Sequence, residues 1–306
     1  MLPGLRLHCY RLVGTLDDAE DMVQEALVRA WRTRGRLADT EGLRPWLYRI
    51  ATNACLDLLA RRRRRPATSL EAELGWPDPV PQAWLAGGSP GDPVDAVLRR
   101  ESVGLAFLTA VSVLPPRQRA MLVLRDVLDW PAADIAEALE TSVAAVYSGV
   151  QRARATIRER SADATDATHG DADSDLTGIA DRYIDAWERA DVAGLAGLLA
   201  ADARMAMPPD PRLFRGRPAI VRYLASVLAE PPERRIGLAR TSASGGPAFL
   251  VLEPDPVTGL PHAIGVKVLL VRAGEIVEIR GHMRASLAAW FQRIPPRADV
   301  CVKDGW

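Results

Sequence analysis

Residues 43–65 combine aromatic side chains with arginines in a way that suits contact with nucleic acid. Aromatic faces stack on unpaired bases, and guanidinium groups neutralise phosphates. The residues that could make these contacts are Trp46, Arg49, Asn53, Arg61, Arg62, Arg63, Arg64 and Arg65. The segment alone leaves a second interpretation open, in which Trp46 and Tyr48 belong to a hydrophobic core.

A helix-turn-helix pattern in the middle of the chain could place further side chains in a DNA groove. Ile135 and Leu139 predict the buried side of one helix, and Glu140 lies at the turn. Val143 and Val146 predict the buried side of the next helix, which could then present its N-terminal residues to base edges in a major groove. The candidates are Ser142, Ala144, Ala145, Tyr147 and Ser148 for base edges, and Arg152 and Arg154 for phosphates.

Carboxylates and a histidine in the C-terminal half could transfer a proton at an enolisable carbon. The candidates are Asp185, Asp202, Glu278 and His282, each of which could equally be a surface charge or part of an ion pair. Glu278 and His282 fall on one face of a predicted strand and Ile279 on the other, and the sequence leaves open which face lines a pocket. The wider set of pocket candidates is Tyr183, Trp187, Met205, Met207, Arg280 and His282.

An acidic amphipathic helix is predicted over residues 17–31. Asp17 and Asp18 stand where an N-cap is expected. The apolar stripe of this helix includes Leu27 and Trp31. The polar side chains that could bind a partner are Asp17, Asp18, Asp21, Gln24 and Glu25. A plain surface helix is the alternative interpretation.

The overall composition excludes several kinds of site. The formal net charge is zero, but an acidic stretch separates two arginine-rich segments, and Lys267 and Lys303 are the only lysines. Cys9, Cys55 and Cys301 lack metal-ligand spacing, so we expect free thiols. We expect neither a bound metal nor a cofactor. No apolar run reaches the ~20 residues that cross a bilayer, and the N-terminus lacks a signal-peptide pattern. We therefore expect a cytoplasmic chain without membrane contact.

Composition and periodicity divide the chain into six predicted parts. These are helical residues 1–65, an acidic Pro- and Gly-rich linker 66–93, helical residues 94–160, a flexible tether 161–174, an α+β domain 175–295 and a tail 296–306. Pro116 and Pro131 each open a predicted helix, and Ser142 can cap the next one. In the α+β domain, helices are predicted at 176–199 and 217–228, and strands at 236–240, 248–252, 262–272 and 275–283. Gly274 predicts a hairpin turn between the last two strands.

Three segments, in their order along the chain, resemble the extracytoplasmic-function branch of the sigma-70 family. They are DAEDMVQEALVRAW at 18–31, RPWLYRIATNACLDLLARRRRR at 44–65, and a stretch that runs from LPPRQRAML at 114 to QRARATI at 157. The resemblance implies that the first segment grips the β′ clamp of core RNA polymerase and that the second opens and reads a −10 promoter element. It implies that the third reads a −35 element next to the β flap.

The C-terminal half resembles the SnoaL-like group of the nuclear-transport-factor-2-like superfamily, over residues 183–191, 198–205, 214–220 and 274–280. The implied fold class is multidomain: two all-α sigma domains, the region 2 bundle and the region 4 helix-turn-helix, followed by an α+β cone-shaped domain. In the minority of family members that carry such an extension, it takes the place of a separate anti-sigma protein. This implies regulation in cis, with a small molecule as a candidate ligand.

A repurposed fusion is the alternative hypothesis. In it the SnoaL-like domain catalyses a cyclase-, isomerase- or hydrolase-type step in a biosynthetic pathway, and the sigma part is a scaffold. Two departures from the family keep this hypothesis open. Only nine residues precede Tyr10, and the recognition helix carries Tyr147 and Gly149 where the family commonly has polar or basic residues. Gly149 also costs about 1 kcal/mol of helix propensity relative to Ala.

Overall fold

The computed structural model describes residues 2–36, 42–63, 77–81, 84, 113–163, 173–207, 210, 212–231, 235–243 and 246–292. These residues form two compact units. The first holds the described residues up to 163 apart from 79–81, and the second holds 79–81 and the described residues from 173 onward. Most of the predicted linker, the centre of the predicted tether and the predicted tail lie outside the described residues. No described helix is long and apolar enough to span a membrane.

The first unit begins with three helices that pack against one another, α1 (Leu2–Val13), α2 (Leu16–Thr33) and α3 (Leu43–Arg63). A short 3₁₀ turn, Arg34–Arg36, follows α2. Contrary to the sequence-based expectation, Thr15 rather than an aspartate is the N-cap of α2. Its hydroxyl accepts a hydrogen bond from the backbone N–H of Asp18 at 3.4 Å. Asp17 and Asp18 both lie inside the first turn of the helix.

The outer side of α2 differs from the prediction. Ala26 and Ala30 are buried, but Leu27 is 38% exposed and Trp31 is 67% exposed. Each exposed residue follows a buried one, and successive residues of a helix are separated by about 100° around its axis. Packing with α1 and α3 uses the arc through Ala26 and Ala30, so the prediction that Leu27 and Trp31 belong to the packed stripe is wrong.

A buried histidine joins α1 to α3. His8 Nε2 lies 2.8 Å from Thr52 Oγ1, and the Thr52 hydroxyl donates to the Tyr48 carbonyl at 2.7 Å. Because the hydroxyl hydrogen is used in that bond, the oxygen accepts from His8, and the neutral tautomer carries its hydrogen on Nε2. Burial and the nearby charge of Arg11 lower the pKa of His8 to about 3.

Acid is expected to destabilise the first unit through this histidine. The ordinary pKa of 6.5 applies to the unfolded chain, and the folded value is about 3. The unfolded chain therefore takes up the proton first, and stability falls by about 1.4 kcal/mol per pH unit from pH 6.5 downward. Between pH 7 and pH 5, urea unfolding of the unaltered chain should lose about 2 kcal/mol more than urea unfolding of the His8→Gln variant. His8→Gln, which keeps a donor for Thr52 but does not titrate, should lack this component, and an equal loss in that variant would contradict the assignment.

Part of the predicted linker is anchored to the turn between α1 and α2. The backbone N–H of Asp78 donates to the Gly14 carbonyl at 2.8 Å, and its carboxylate accepts from the N–H of Leu16 at 2.9 Å. The Tyr10 hydroxyl donates to the Asp78 carbonyl. Asp78 is buried, and its carboxylate satisfies an N–H at the start of α2 that has no partner within the helix.

The remaining helices of the first unit are α4 (Pro116–Leu122), α5 (Ala132–Ala138) and α6 (Val143–Asp163), with one π-helical turn, Val123–Val127, after α4. Pro116 is the first residue of α4, and Pro131 immediately precedes α5, as predicted.

The turn between α5 and α6 has the predicted helix-turn-helix form. Glu140 adopts the left-handed conformation with φ 49°, and the Ser142 hydroxyl accepts from the N–H of Ala145 at 3.1 Å, which caps α6. Val146 is buried as predicted. Val143 is 41% exposed, so its prediction as a packing residue is wrong.

Gly149 has a packing role on α6. A Cβ at Gly149 would lie 2.3 Å from Met121 Sδ on α4, so the absent side chain allows the two helices to approach closely. This contact gives a physical reason for a residue of low helix propensity at a position where the family commonly has a polar or basic residue.

The second unit is an antiparallel-rich sheet covered by helices. Its elements, in chain order, are α7 (Asp173–Glu188), α8 (Val192–Leu198), β1 (Leu199–Ala206), β2 (Leu213–Arg215), α9 (Arg217–Leu228), β3 (Gly237–Ala243), β4 (Gly246–Pro254), β5 (Pro261–Arg272), β6 (Glu275–His282) and α10 (Ala285–Gln292). The strand order is β2-β1-β6-β5-β4-β3. The pairing of β1 with β6 is parallel, and every other pairing is antiparallel.

The start of the second unit corrects the predicted helix over 176–199. Ala190 has φ 54°, and the Asp191 carboxylate caps a new helix by accepting from the N–H of Gly194 at 2.7 Å. The chain therefore leaves α7, forms the short α8 and enters β1 at Leu199. The predicted hairpin is confirmed: β5 and β6 pair across a turn at residues 273–274, where Gly274 has φ 77°.

Candidate functional site

The first candidate surface is the outer face of α2. Asp21, Gln24, Val28 and Trp31 are exposed and follow one another at three- and four-residue steps, so they line one side of the helix. Arg34 lies over the Trp31 ring, 4.0 Å from its centroid. A large exposed ring beside an exposed aliphatic side chain is typical of a protein-binding surface.

Two residues of the predicted acidic set form ion pairs with basic residues. Asp18 Oδ1 lies 2.6 Å from Arg62 Nη2 on α3. Glu25 accepts from Arg29 at 2.7 Å, and Arg29 also reaches Asp57 at 2.9 Å. Part of the acidic face is therefore occupied by pairs within the unit, whereas Asp21 and Gln24 are exposed.

The second candidate surface is α3, which is formed by residues 43–63 of the segment that combines aromatic side chains with arginines. Tyr48 is a core residue, and Trp46 is half-buried. Arg61 and Arg62 are exposed. The side chain of Arg63 and the whole of Arg64 and Arg65 lie outside the described residues.

Two of the predicted DNA-binding residues of α3 contact the end of α5. Arg49 Nη1 donates to Glu137 Oε1 at 2.6 Å, and its Nη2 donates to the Glu137 carbonyl at 3.3 Å. Asn53 Nδ2 lies 3.5 Å from the Ala138 carbonyl oxygen. These contacts occupy polar groups that were predicted to bind DNA.

The third candidate surface, after those of α2 and α3, is the N-terminal part of α6. Ser142, Ala144, Tyr147, Ser148 and Arg152 are exposed, and Ala145 is half-buried. Arg154 forms a two-point ion pair with Asp126, with distances of 3.0 and 2.7 Å. The predicted base-contacting residues thus share an accessible face, but the guanidinium of Arg154 is already paired.

The second unit has an aromatic cluster on one face of its sheet. The Tyr183 ring lies 5.5 Å from that of Phe249 and 6.2 Å from that of Trp187, measured between centroids. Met205 is buried in the same core, and Met207 packs against it. Four of the six predicted pocket residues are therefore brought to this cluster.

Lys267, at the centre of this cluster, was not among the residues predicted for the site. Lys267 on β5 is paired in register with Phe249 on β4 and Gly281 on β6, so it shares their face of the sheet. Its Nζ lies 4.1 Å from the Trp187 ring centroid and 3.5 Å from the Tyr183 hydroxyl. Burial lowers the pKa of Lys267 to about 7. A signal was available, because Lys267 interrupts an apolar strand in a chain with only two lysines.

Arg280 and His282 are on the other face of the sheet. They pair in register with Val268 and Val266, which flank Lys267 in sequence, and side chains alternate along a strand. Arg280 is paired with Glu278 at 3.0 Å. Burial, followed by the charges of Arg284 and Arg280, lowers the pKa of His282 to about 3. Arg280 and His282 therefore lie on the sheet face opposite to Tyr183 and Trp187, and the six pocket candidates do not share one face.

The four candidates for proton transfer do not meet in the aromatic cluster. Asp185 on α7 and Asp202 on β1 are exposed, Glu278 is paired with Arg280, and His282 is on the opposite face. The catalytic hypothesis therefore gains no shared site from these residues.

Comparison with protein families assigns three parts of the chain. Sigma-70 region 2 matches residues 1–65, Sigma-70 region 4 matches residues 104–157, and a SnoaL-like domain matches residues 180–279. The fold class expected from the sequence, two helical sigma domains followed by an α+β SnoaL-like domain, is confirmed.

Similar proteins of known sequence indicate which branch of the sigma-70 family the chain resembles. The ECF RNA polymerase sigma factor SigG of Mycobacterium tuberculosis is 44% identical over 234 residues, which cover 71% of this chain and 62% of SigG. The ECF RNA polymerase sigma factor SigJ of the same organism is 31% identical over 235 residues, which cover 74% of this chain and 71% of SigJ. The crystal structure of SigJ matches with a TM-score of 0.64 and 25% identity, over 94% of this chain and 95% of the other. The chain belongs to the extracytoplasmic-function RNA polymerase sigma factors.

Proposed function

We propose that the protein is a promoter-directing subunit of RNA polymerase. The observation that carries the proposal is the exposed side of α2, which presents Trp31 and Val28 near its C-terminal end and Asp21 nearer its start. This is the segment that resembles the family's β′ clamp-binding helix, and it offers an apolar anchor on the same side as an exposed carboxylate. Family membership supports the same role.

Promoter contact is proposed for α3 and α6. On α6, the exposed face with Tyr147 and Arg152 would meet the −35 element. On α3, Arg49 and Asn53 would meet the −10 element, with the arginines from residue 61 onward along the backbone. Arg49 and Asn53 must first leave Glu137 and Ala138, so DNA binding competes with contacts inside the first unit.

Run-off transcription tests the proposal. The full chain is mixed with core RNA polymerase on templates drawn from the promoter regions of its own genome, and discrete transcripts that require the chain are expected. Because arginines neutralise phosphates, promoter affinity should fall steeply as salt rises from 50 to 200 mM, by about 10³-fold if some six phosphates are contacted. Absence of association with core polymerase, or affinity independent of salt, would contradict the proposal.

For the second unit we propose regulation of the first in cis. Its support is a separate compact fold with a buried, partly polar cluster, in a chain whose other unit carries the sigma regions. Transcription by the full chain is compared with that of residues 1–165 at equal concentration. Output that changes on removal of the second unit supports regulation. Equal output from both proteins, at several concentrations, would exclude it.

A further inference from the structure

Lys267 is a buried cation without an acidic partner among the described residues. It is 2% exposed, and its Nζ contacts the Tyr183 hydroxyl and the rings of Tyr183 and Trp187. A buried ammonium normally requires a counter-ion, because moving a charge out of water is expensive. The chain elsewhere uses arginine for its positive charges, since 37 of its 39 basic residues are arginine.

Aromatic and apolar side chains from several neighbouring elements lie around Lys267. Trp187 and Tyr183 come from α7 and Phe249 from β4. On β6, Gly281 pairs in register with Lys267. A Cβ on Gly281 would lie 2.4 Å from Met207 Cγ, so the Met207 side chain lies over Gly281, beside Lys267. The cluster thus has one nitrogen that can carry charge, enclosed by hydrophobic side chains.

The edge of the cluster is less deeply buried. Met207, Phe214 and Tyr223 pack against it and are only partly buried, and the rings of Phe214 and Tyr223 are 4.7 Å apart. Arg212, which is paired with Asp210, lies over both rings, 5.4 and 5.3 Å from their centroids. A ligand would enter at this edge by displacing these side chains.

We propose that Lys267 and the rings of Tyr183, Trp187 and Phe249 form a binding site for an apolar monocarboxylate. The carboxylate would pair with the ammonium, and the hydrocarbon or aryl body would pack against the rings. A single cation balances a single negative charge. A phosphate or dicarboxylate would leave a second charge buried and unpaired, so the cluster disfavours those ligands.

Binding should take up a proton. With a pKa of about 7, Lys267 is about nine-tenths neutral at pH 8, and pairing with a carboxylate requires the charged form. Tyr183, whose hydroxyl lies 3.5 Å from Nζ, has its pKa raised chiefly by burial and stays neutral. The charged groups at the edge of the cluster, Arg212 and Asp210, form an ion pair with each other. His282 is on the opposite face with a pKa of about 3.

Isothermal titration calorimetry of the full chain with octanoate and 2-naphthoate tests the site. In two buffers of different ionisation enthalpy, uptake of about 0.9 proton per acid is expected at pH 8 and about 0.1 at pH 6. Affinity should be about tenfold weaker at pH 8 than at pH 6, because a tenth of the lysine is then charged. Octanol, which lacks the carboxylate, should bind more weakly than octanoate.

Three variants complete the test. Lys267→Met should weaken octanoate binding at least tenfold, whereas Arg272→Met, which removes an exposed cation from the same strand, should leave it unchanged. Lys267→Arg should bind without proton uptake at pH 8, because arginine stays charged. No binding of either acid, binding unaffected by Lys267→Met, or binding at pH 8 without proton uptake by the unaltered chain would each overturn the proposal.

These measurements contain no polymerase or DNA. Their outcome is therefore independent of the proposed function, and an effect of the bound acid on transcription would be a separate result that rests on regulation in cis.

Discussion

Core RNA polymerase binding is expected to weaken by about thirtyfold or more when Trp31 is replaced by alanine. A large ring that becomes buried at an interface commonly contributes 2 kcal/mol or more, and 1.4 kcal/mol corresponds to a factor of ten. Trp31 is 67% exposed, so its removal should have little effect on the fold. Affinity would be measured by titrating fluorescently labelled chain with core polymerase, and circular dichroism would confirm that the variant is folded.

Tyr147→Ala is the matched control. Tyr147 is also an exposed aromatic residue, 56% exposed, but it lies on α6 in the proposed promoter-reading face. This variant should retain polymerase affinity and lose transcription from a −35-dependent promoter. Equal loss of polymerase affinity in both variants would indicate a general effect of removing surface aromatics and would refute the assignment of α2.

Replacing Lys267 with methionine is expected to stabilise the second unit by about 2–4 kcal/mol at pH 7. The folded pKa is about 7 and the ordinary value is 10.5, so between these values the unfolded chain holds more protons than the folded chain. Stability of the unaltered protein therefore rises with pH across this window. The advantage of the methionine variant should be largest at pH 7 or below and should shrink toward pH 10.5.

Guanidinium unfolding at pH 7 and pH 10 measures this effect. Arg272→Met serves as the control on the same strand and should differ from the unaltered chain by no more than about 0.5 kcal/mol. A methionine variant that is less stable at pH 7 would show that the contacts of Lys267 with Tyr183 and Trp187 outweigh the cost of its burial.

The local features of the fold were predictable because they depend on nearby residues. Proline at helix starts, Ser142 as a cap and the hairpin turn at Gly274 are each determined by backbone geometry within a few positions. The exposure of Trp31 was not predictable, because it depends on which arc of α2 the other helices cover. Periodicity identifies an apolar stripe but does not give its width.

The ligand site was only partly predictable, for a related reason. Tyr183 and Trp187 could be singled out by type and helical spacing. Lys267 is 84 residues from Tyr183, and its position opposite Phe249 depends on the pairing of β4 with β5. Glu278, Arg280 and His282 lie on the opposite sheet face from that cluster because side chains alternate along a strand. The sequence does not indicate which of the two faces packs against the aromatic residues of the helices.

The parallel pairing of β1 with β6 has a consequence for synthesis on the ribosome. β1 ends at Ala206, and the strand that pairs with it through the centre of the sheet begins at Glu275, about 70 residues later. At about 5–20 residues per second, β1 has to wait about 3–14 s for that neighbour. The last helix of the first unit ends at Asp163, so all of the first unit has left the peptidyl-transferase centre before this interval begins. Each newly made chain therefore passes through a period in which its sigma regions can fold and its sheet cannot yet close.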